Sequence, residues 1–308
     1  MTDKGAADRR FVAKRVRGGA DSLIAFASGA AALRTPAMGL ACALLADMLM
    51  ILPAGAEPAA LFASPATVSQ KAVDHSVWDS LLAKYVRPQA GGASRFDYKA
   101  VDAVDRERLR HYISTLEQLD PDTLDRAEQI ALLANLYNAK TIGIVLDHYP
   151  VASIKDISLG GGLLASITGG PWKQKVTKLK GEELSLDDIE HGILRPVFRD
   201  PRVHYALNCA SLGCPNLRTE AFTGAKIEAQ LDAAARDFIN DPRGVDASEG
   251  TLRVSSIYSW FQEDFGGDDA GVIAHLKKFA APSLAQRLDR AKRIDAYDYD
   301  WKLNDVSR

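Results

Sequence analysis

The 308-residue sequence has few cysteines and no strong excess of either charge. Its 3 cysteines are too few for a disulfide-rich scaffold, and 38 Lys and Arg against 40 Asp and Glu leave a net charge of -2. This balance, with only 7% aromatic residues, provides neither a basic nor a stacking surface for nucleic acid. With 47% apolar and 25% charged residues, the composition predicts a globular protein and excludes collagen-like, mucin-like and wholly disordered chains.

Several motifs of well-known chemistries are also absent. The sequence contains no phosphate-binding G-x-x-x-x-G-K-[ST], no G-x-S-x-G turn and no H-E-x-x-H zinc motif. Glycines 160–162 do not form a phosphate loop, and no G-x-G-x-x-G follows a convincing strand. We therefore expect no nucleotide cofactor and no serine esterase or zincin chemistry.

The amino-terminal region has the features of an export signal. Residues 1–36 are rich in Lys and Arg, and an apolar run follows at residues 38–52. This run has about 15 residues, fewer than the roughly 20 that span a bilayer, and it contains Asp47, which is costly inside a membrane. Ala54-Gly55-Ala56 then gives a small-x-small cleavage pattern, with a second such site near Ala63-Ser64.

The leader sets the expected domain organisation and location. We expect residues 1–56 to be an export signal, residues 57–65 a linker, and residues 66–308 the folded domain of a periplasmic or secreted protein. The alternative is an uncleaved anchor that associates the protein with the membrane. Export would leave Cys209 and Cys214 in an oxidising compartment, where disulfides persist.

Hydrophobic spacing predicts a mixture of helices and strands in the mature chain. The predicted helices cover residues 69–85, 101–119, 125–149, 184–194, 221–239, 257–265 and 272–279, and the predicted strands cover residues 175–179, 202–209 and 252–254, with a loop at 87–94. Ser185 is a suitable amino-terminal cap for its helix, and Asp125 or Thr123 is a suitable cap for the helix that runs to residue 149. The expected fold is α+β, a single mixed domain with a small sheet packed among several helices.

The segment from Arg202 to Pro215 carries the most chemical information. In a strand, His204 and Asn208 lie on one face and Cys209 on the other, and the strand runs into a small-residue loop that ends at Cys214. Four roles for the cysteines stay open: a Cys209–Cys214 disulfide, a metal site completed by a histidine, a Cys209 nucleophile activated by a histidine base, and an inert buried thiol.

A predicted helix brings a second group of titratable residues together. His191 is a candidate base, and Asp187, four residues earlier, shares its helix face. Glu190 is adjacent to His191 and so points about 100° away around the helix. The alternative is a surface histidine near a helix end.

Two asparagines interrupt the most apolar predicted helix. Asn135 and Asn138 are three residues apart and share a face, and Glu128 lies on roughly the same face. Because buried amides must be hydrogen-bonded, these residues either hold neighbouring backbone in place or face a cleft and position a substrate or a catalytic imidazole.

Together these motifs resemble the domain-of-unknown-function 547 family, over roughly residues 90–265. The shared features are Asn135, Tyr137 and Asn138, Tyr149-Pro150-Val151, Pro171-Trp172, Asp188-Ile189-Glu190-His191, the segment from Arg202 and His204 to Asn208-Cys209, and Gly213-Cys214-Pro215. The sequence departs from the pattern at Leu132-Leu133, where such helices often carry aromatic residues. The resemblance implies an exported or membrane-associated bacterial domain, and it assigns no chemistry.

Three functional hypotheses follow. The first is a cysteine-dependent hydrolase or acyl transferase with Cys209 as nucleophile and His191 as base, His204 being the alternative base. Glu190 or Asn138 would orient the imidazole. Asn208 or the N–H groups of the loop would stabilise the oxyanion. The second is a non-enzymatic domain that binds a small molecule or peptide and contains a Cys209–Cys214 disulfide. The third is a metal site that uses these cysteines with His204 or His191.

Overall fold

The computed structural model describes residues 57–62, 64–69, 72–159, 170–248 and 250–307. The predicted leader and glycines 160–162 lie outside these residues. The helices are α1 Ser76–Tyr85, α2 Ala103–Glu117, α3 Arg126–His148, a π-helix Asp188–Phe198, α4 Val203–Ala206, α5 Ile227–Ile239, α6 Ile257–Trp260, α7 Asp269–Phe279 and α8 Pro282–Leu288. Short 3₁₀ turns lie at Pro58–Phe62, Tyr98–Ala100, Pro121–Thr123, Ile154–Asp156, Gly224–Lys226 and Gln262–Phe265.

The strands form separate small sheets. Together with the helices, these sheets confirm the predicted α+β fold class. Strands β1 Val86–Gln89 and β2 Gly92–Phe96 make one antiparallel hairpin, and β3 Lys175–Leu179 and β4 Glu182–Ser185 make another. The third sheet has the order β5 Val245–Asp246, β6 Arg253–Ser255, β7 Ala296–Asp298, with β6 and β7 parallel. Small sheets distributed among helices replace the one small sheet that we expected.

Helix α3 lies at the centre of the larger core. The Asp125 side chain caps it by accepting a hydrogen bond from the Glu128 N–H at 3.0 Å, as predicted. Between Glu128 and Leu146 the helix is buried on almost every side, and it packs against α2, α5 and the π-helix. A helix enclosed in this way needs little amphipathic pattern, because all of its faces meet other elements.

The π-helix overlaps the α-helix predicted at residues 184–194 and is displaced toward the carboxy terminus. Residues 182–185, which include the first residues of the predicted helix, pair with β3, and Ser185 then caps the turn that follows by accepting from the Asp188 N–H at 3.0 Å. The helix continues past Leu194 to Phe198 with wide i→i+5 hydrogen bonding and includes Pro196. The capping prediction for Ser185 is confirmed, and the predicted bounds 184–194 are wrong at both ends.

The predicted strand at residues 202–209 is wrong. The Asp200 carbonyl accepts from the Val203 N–H at 3.1 Å and starts a turn that becomes helix α4, after which the chain is extended at Leu207. A short alternating pattern does not exclude a single helical turn, and here helix α4 occupies the first half of the predicted strand. His204 and Asn208 therefore do not share one strand face.

Other local predictions fail at element boundaries. The predicted loop at 87–94 is the β1–β2 hairpin, whose turn contains Gly91 with a φ of 68°. The helices predicted to begin at residues 69 and 221 begin at Ser76 and Ile227. The segment expected to be a linker includes the 3₁₀ turn Pro58–Phe62, whose Phe62 is buried in the core.

The carboxy-terminal segment after β7 connects distant parts of the domain. The Leu212 and Gly213 N–H groups donate to the carbonyls of Lys302 and Asp300, both at 2.8 Å. The Asn304 carbonyl accepts from the Phe96 N–H at 2.8 Å. This pairing fixes the backbone on both sides of Tyr299 and Trp301 and so positions their aromatic rings.

Within the described residues, no helix has both the length and the apolar character needed to cross a membrane.

Candidate functional site

A pocket of about 160 Å³ collects most of the residues that the sequence singled out. Its lining combines aromatic, acidic and sulfur-containing side chains from six parts of the chain: Tyr137, Trp172, Asp187, Glu190, His191, His204, Leu207, Cys209, Cys214, Pro215, Ile257, Trp260, Phe261, Tyr299 and Trp301. Many of the lining side chains are aromatic, and the polar groups include two carboxylates, two imidazoles and the hydroxyls of Tyr137 and Tyr299. This combination is typical of a small-ligand site.

Cys209 and Cys214 form a disulfide in the wall of this pocket. Their Cα atoms are 6.1 Å apart, within the range that a disulfide spans. The disulfide closes the short loop after α4, and the Cys209 N–H donates to Cys214 Sγ at 2.8 Å. Of the roles left open by the sequence, the structure supports the disulfide, and Cys209 has no free thiol here.

Aromatic residues of the carboxy-terminal segment form one side of the pocket. The Tyr299 ring lies 4.8 Å from Trp260 and 4.6 Å from Trp301, measured between centroids. Trp260 is 47% exposed, which is unusual for so large an apolar side chain. The ring of Trp172 contacts that of Trp301 edge to face. The Trp172 carbonyl accepts a hydrogen bond from the Asp187 N–H at 3.0 Å, which holds Trp172 in place.

His204 is buried at the back of the pocket between two carboxylates. Its Nε2–H donates to Asp264 Oδ2 at 2.7 Å, and its Nδ1 lies 3.6 Å from Glu190 Oε1. Arg195 Nε also donates to Asp264, at 2.5 Å, and Phe261 stacks on the imidazole at 4.4 Å. Burial by itself lowers the pKa of His204, but the hydrogen bonds to Asp264 and Glu190 outweigh it and raise that pKa above 6.5.

The two carboxylates of the pocket have pKa values that move in opposite directions. Burial raises the pKa of Asp187 above its usual range, and the nearby His191 offsets this effect only in part. Burial acts in the same direction on Glu190, but the hydrogen bond with His204 and the charge of His191 outweigh it, so the pKa of Glu190 is lowered.

Glu190 and His191, the predicted orienter and base, are not paired as we expected. Glu190 faces His204, whereas His191 Nε2 lies 3.8 Å from Asp187 Oδ1. His191 is therefore paired with Asp187, four residues earlier on the same helix face, and not with Glu190. His191 lines the pocket from an exposed position.

Asn138 and Asn208 hold the backbone behind the disulfide. Asn138 Nδ2 donates to the Ala206 carbonyl at 2.9 Å, and Asn138 Oδ1 accepts from the Asn208 N–H at 2.8 Å. The Asn208 side chain donates to the Pro215 carbonyl at 2.7 Å and accepts from the Ala210 N–H. Because these hydrogen bonds use both amides, neither side chain lines the pocket as the predicted orienter or oxyanion donor.

Asn135 has a similar structural role at another place. Its side chain makes two hydrogen bonds with the Phe222 backbone, at 2.7 and 3.0 Å, and lies 3.3 Å from His75 Nε2. Burial lowers the pKa of His75 to about 4. Glu128 is buried on the same helix outside the pocket. The contacts of Asn135 and Asn138 therefore support the role in which these residues hold neighbouring backbone in place.

The metal hypothesis finds no support in the part of the chain that the structure describes. Both sulfurs are in the disulfide, so neither is available as a thiolate ligand. Among the described residues, no three or more His, Cys, Asp or Glu side chains are arranged to hold a metal ion.

Sequence reasoning missed several important site residues. Asp264 comes from a segment interpreted only as a helix, Arg195 follows the last residue of another predicted helix, and Tyr299 and Trp301 come from the carboxy-terminal segment. The one available signal was the alternation of aromatic and acidic residues from Asp295 to Trp301.

Comparison with known proteins supports the resemblance drawn from the motifs. Residues 121–239 match the family described as "Protein of unknown function, DUF547", which confirms the resemblance over that region. The matched region contains the central helix, the π-helix and the disulfide loop. No curated protein and no solved structure matches the chain.

Proposed function

We propose that this domain binds a small organic cation, or a cationic side chain of a peptide, in the aromatic pocket. The observation that carries the proposal is the lining itself: several aromatic rings and two carboxylates, with no Lys or Arg among the described lining residues. Glu190 already faces His204, so Asp187 is the carboxylate that would meet the ligand's positive charge. Aromatic faces and carboxylates both attract positive charge, and ring cages are a recurrent way to bind alkylammonium groups. The small volume restricts the ligand to one compact group.

The disulfide favours this function over the cysteine hydrolase. A hydrolase needs Cys209 as a thiolate, and here Cys209 is bonded to Cys214. Asn138 and Asn208, which that mechanism would use, are committed to backbone hydrogen bonds. In a binding domain, the disulfide and these two asparagines need only hold the walls of the pocket in place. The basic and apolar leader supports the further proposal that binding takes place after export.

Isothermal titration of the purified protein with choline tests the proposal. 3,3-Dimethylbutanol has the shape of choline without the charge, and it is the matched ligand control. We expect choline to bind at least about tenfold more tightly than this alcohol, because the carboxylates and rings act on the charge. Equal affinity for the two ligands, or no binding of either, contradicts the proposal.

Two substitutions localise the binding. Trp260→Leu removes an exposed ring and is expected to weaken choline binding about fivefold, corresponding to a cation–π contribution of ~1 kcal/mol. Asp187→Asn is expected to weaken it about tenfold. Asp147→Asn removes an exposed charge outside the pocket and serves as the control. Because burial raises the pKa of Asp187, wild-type affinity should fall on acidification at a higher pH than for an ordinary aspartate.

A further inference from the structure

The disulfide lies where a small molecule in the pocket can reach it. Both Cys209 and Cys214 line the pocket, although each residue is largely buried. Cys209 is 9% exposed and Cys214 is 3% exposed. Access of a reactant from the pocket therefore favours attack at Cys209 Sγ.

The other sulfur is placed to leave as a thiolate. Cys214 Sγ accepts from the Cys209 N–H at 2.8 Å. The Tyr299 hydroxyl lies 3.2 Å from Cys214 Sγ and 3.0 Å from Cys209 Sγ, so it can donate to whichever sulfur carries the negative charge. Ser211 Oγ donates to Tyr299 Oη at 3.0 Å, which leaves the Tyr299 proton for a sulfur. Hydrogen bonds to a thiolate stabilise it and lower the barrier to its departure. Burial raises the pKa of Tyr299, so the phenol remains a donor at neutral pH.

We propose that the Cys209–Cys214 disulfide is a reversible thiol–disulfide exchange site for small organic thiols. The thiolate of the incoming molecule attacks Cys209 Sγ and forms a mixed disulfide with it. The Cys209–Cys214 bond breaks, and its electron pair remains on Cys214 Sγ as a thiolate. Either Cys214 returns and expels the small thiol, or a second thiolate attacks the mixed disulfide, releases the small disulfide and leaves both cysteines reduced.

The native protein tests the proposal without any substitution. The purified full chain is incubated with 2-mercaptoethanol, quenched with acid, and analysed by non-reducing mass spectrometry alongside circular dichroism. We expect the disulfide to open at a rate comparable to that of a small-molecule disulfide while the protein stays folded. A disulfide that reacts only when the chain unfolds overturns the proposal and leaves a purely structural crosslink.

Substitutions assign the roles of the two sulfurs. In Cys214→Ser, a small disulfide such as oxidised 2-mercaptoethanol should label Cys209 rapidly in the folded protein. In Cys209→Ser, labelling of Cys214 should be at least about tenfold slower, because Cys214 is less exposed. The wild-type experiment above decides the proposal if either variant fails to fold, and equal labelling of the two cysteines overturns the assignment.

Tyr299→Phe tests the leaving-group interaction. Loss of one hydrogen bond to the departing thiolate should slow the exchange about tenfold in the folded protein. Tyr297→Phe removes a hydroxyl that bonds to Asp269 outside the pocket, and it is the matched control. An unchanged rate in Tyr299→Phe overturns the role of this hydroxyl.

The exchange does not depend on the cation-binding proposal. Choline binding with an inert disulfide would overturn the exchange alone, and exchange without choline binding would overturn the proposed function alone. Cysteamine, a cationic thiol, connects the two: its rate relative to 2-mercaptoethanol should fall in Asp187→Asn only where both proposals hold.

Discussion

At the scale of single residues, His204 shows how partners can outweigh burial. An imidazole this deeply buried ordinarily loses its proton, as His75 and His275 illustrate, with pKa values lowered by burial to about 4. His204 instead faces Asp264 and Glu190, and its pKa is raised. His204 lines the pocket, and its hydrogen bond lowers the pKa of Glu190.

An NMR titration of the histidine side chains checks this difference. We expect His204 to titrate above pH 6.5, and His75 and His275 near pH 4. Since the folded-state pKa of His204 exceeds its unfolded value, its contribution to stability is complete below pH 6.5 and is lost as pH rises through the folded-state pKa. Asp264→Asn should lower the pKa of His204, and a wild-type value at or below 6.5 contradicts the assignment.

At the scale of elements, turns and caps follow local chemistry closely. The turn Lys180-Gly181 between β3 and β4 has φ angles of 50° and 85°, which match the tight hairpin turn that the sequence indicates. The caps at Asp125 and Ser185 also form as predicted. The bounds of the π-helix and the one-turn helix α4 do not follow from local pattern. The π-helix packs against α3, and α4 packs against α5, so both depend on tertiary contacts.

Two glycine substitutions separate backbone strain from helix propensity. Gly143 lies inside α3, and an added Cβ would be 3.8 Å from Ile113 Cδ1, an ordinary contact. Gly143→Ala should therefore raise the free energy of unfolding by about 0.5–1 kcal/mol. Gly181→Ala places a side chain at a φ of 85° and should lower it by about 1 kcal/mol. Urea denaturation followed by circular dichroism measures both, and a destabilised Gly143→Ala would contradict the first expectation.

At the scale of the whole molecule, the site is assembled from segments far apart in the chain. Tyr137 comes from α3, the two carboxylates from the beginning of the π-helix, the disulfide from the loop after α4, and two rings from the carboxy-terminal segment. The pairing of residues 300–304 with the disulfide loop and with β2 ties these pieces together. The integrity of the pocket therefore depends on the complete fold.

The leader makes a separate prediction about the whole chain. Alkaline phosphatase, which requires disulfides formed outside the cytoplasm, should be active when fused after residue 65 in a bacterial host. Deleting residues 38–52 should abolish the activity, because the apolar segment is what the export machinery recognises. Amino-terminal sequencing of the exported product should place the cleavage next to Ala56 or Ala63. An active fusion after the deletion contradicts the prediction.

Local sequence pattern establishes the α+β class, the central helix, strand β3, the main caps and the motifs of the family region. These features depend on interactions within a few residues, which local pattern records directly. It also drew attention to Cys209, Glu190, His191 and His204, because such side chains have few structural uses. Three further outcomes depend on tertiary contacts. Cys209 bonds to Cys214, and the asparagines hold neighbouring backbone in place. Glu190 faces His204, whose other partner, Asp264, also accepts a hydrogen bond from Arg195. Those outcomes depend on which segments distant in sequence come into contact, and local sequence pattern carries no signal for such long-range contacts.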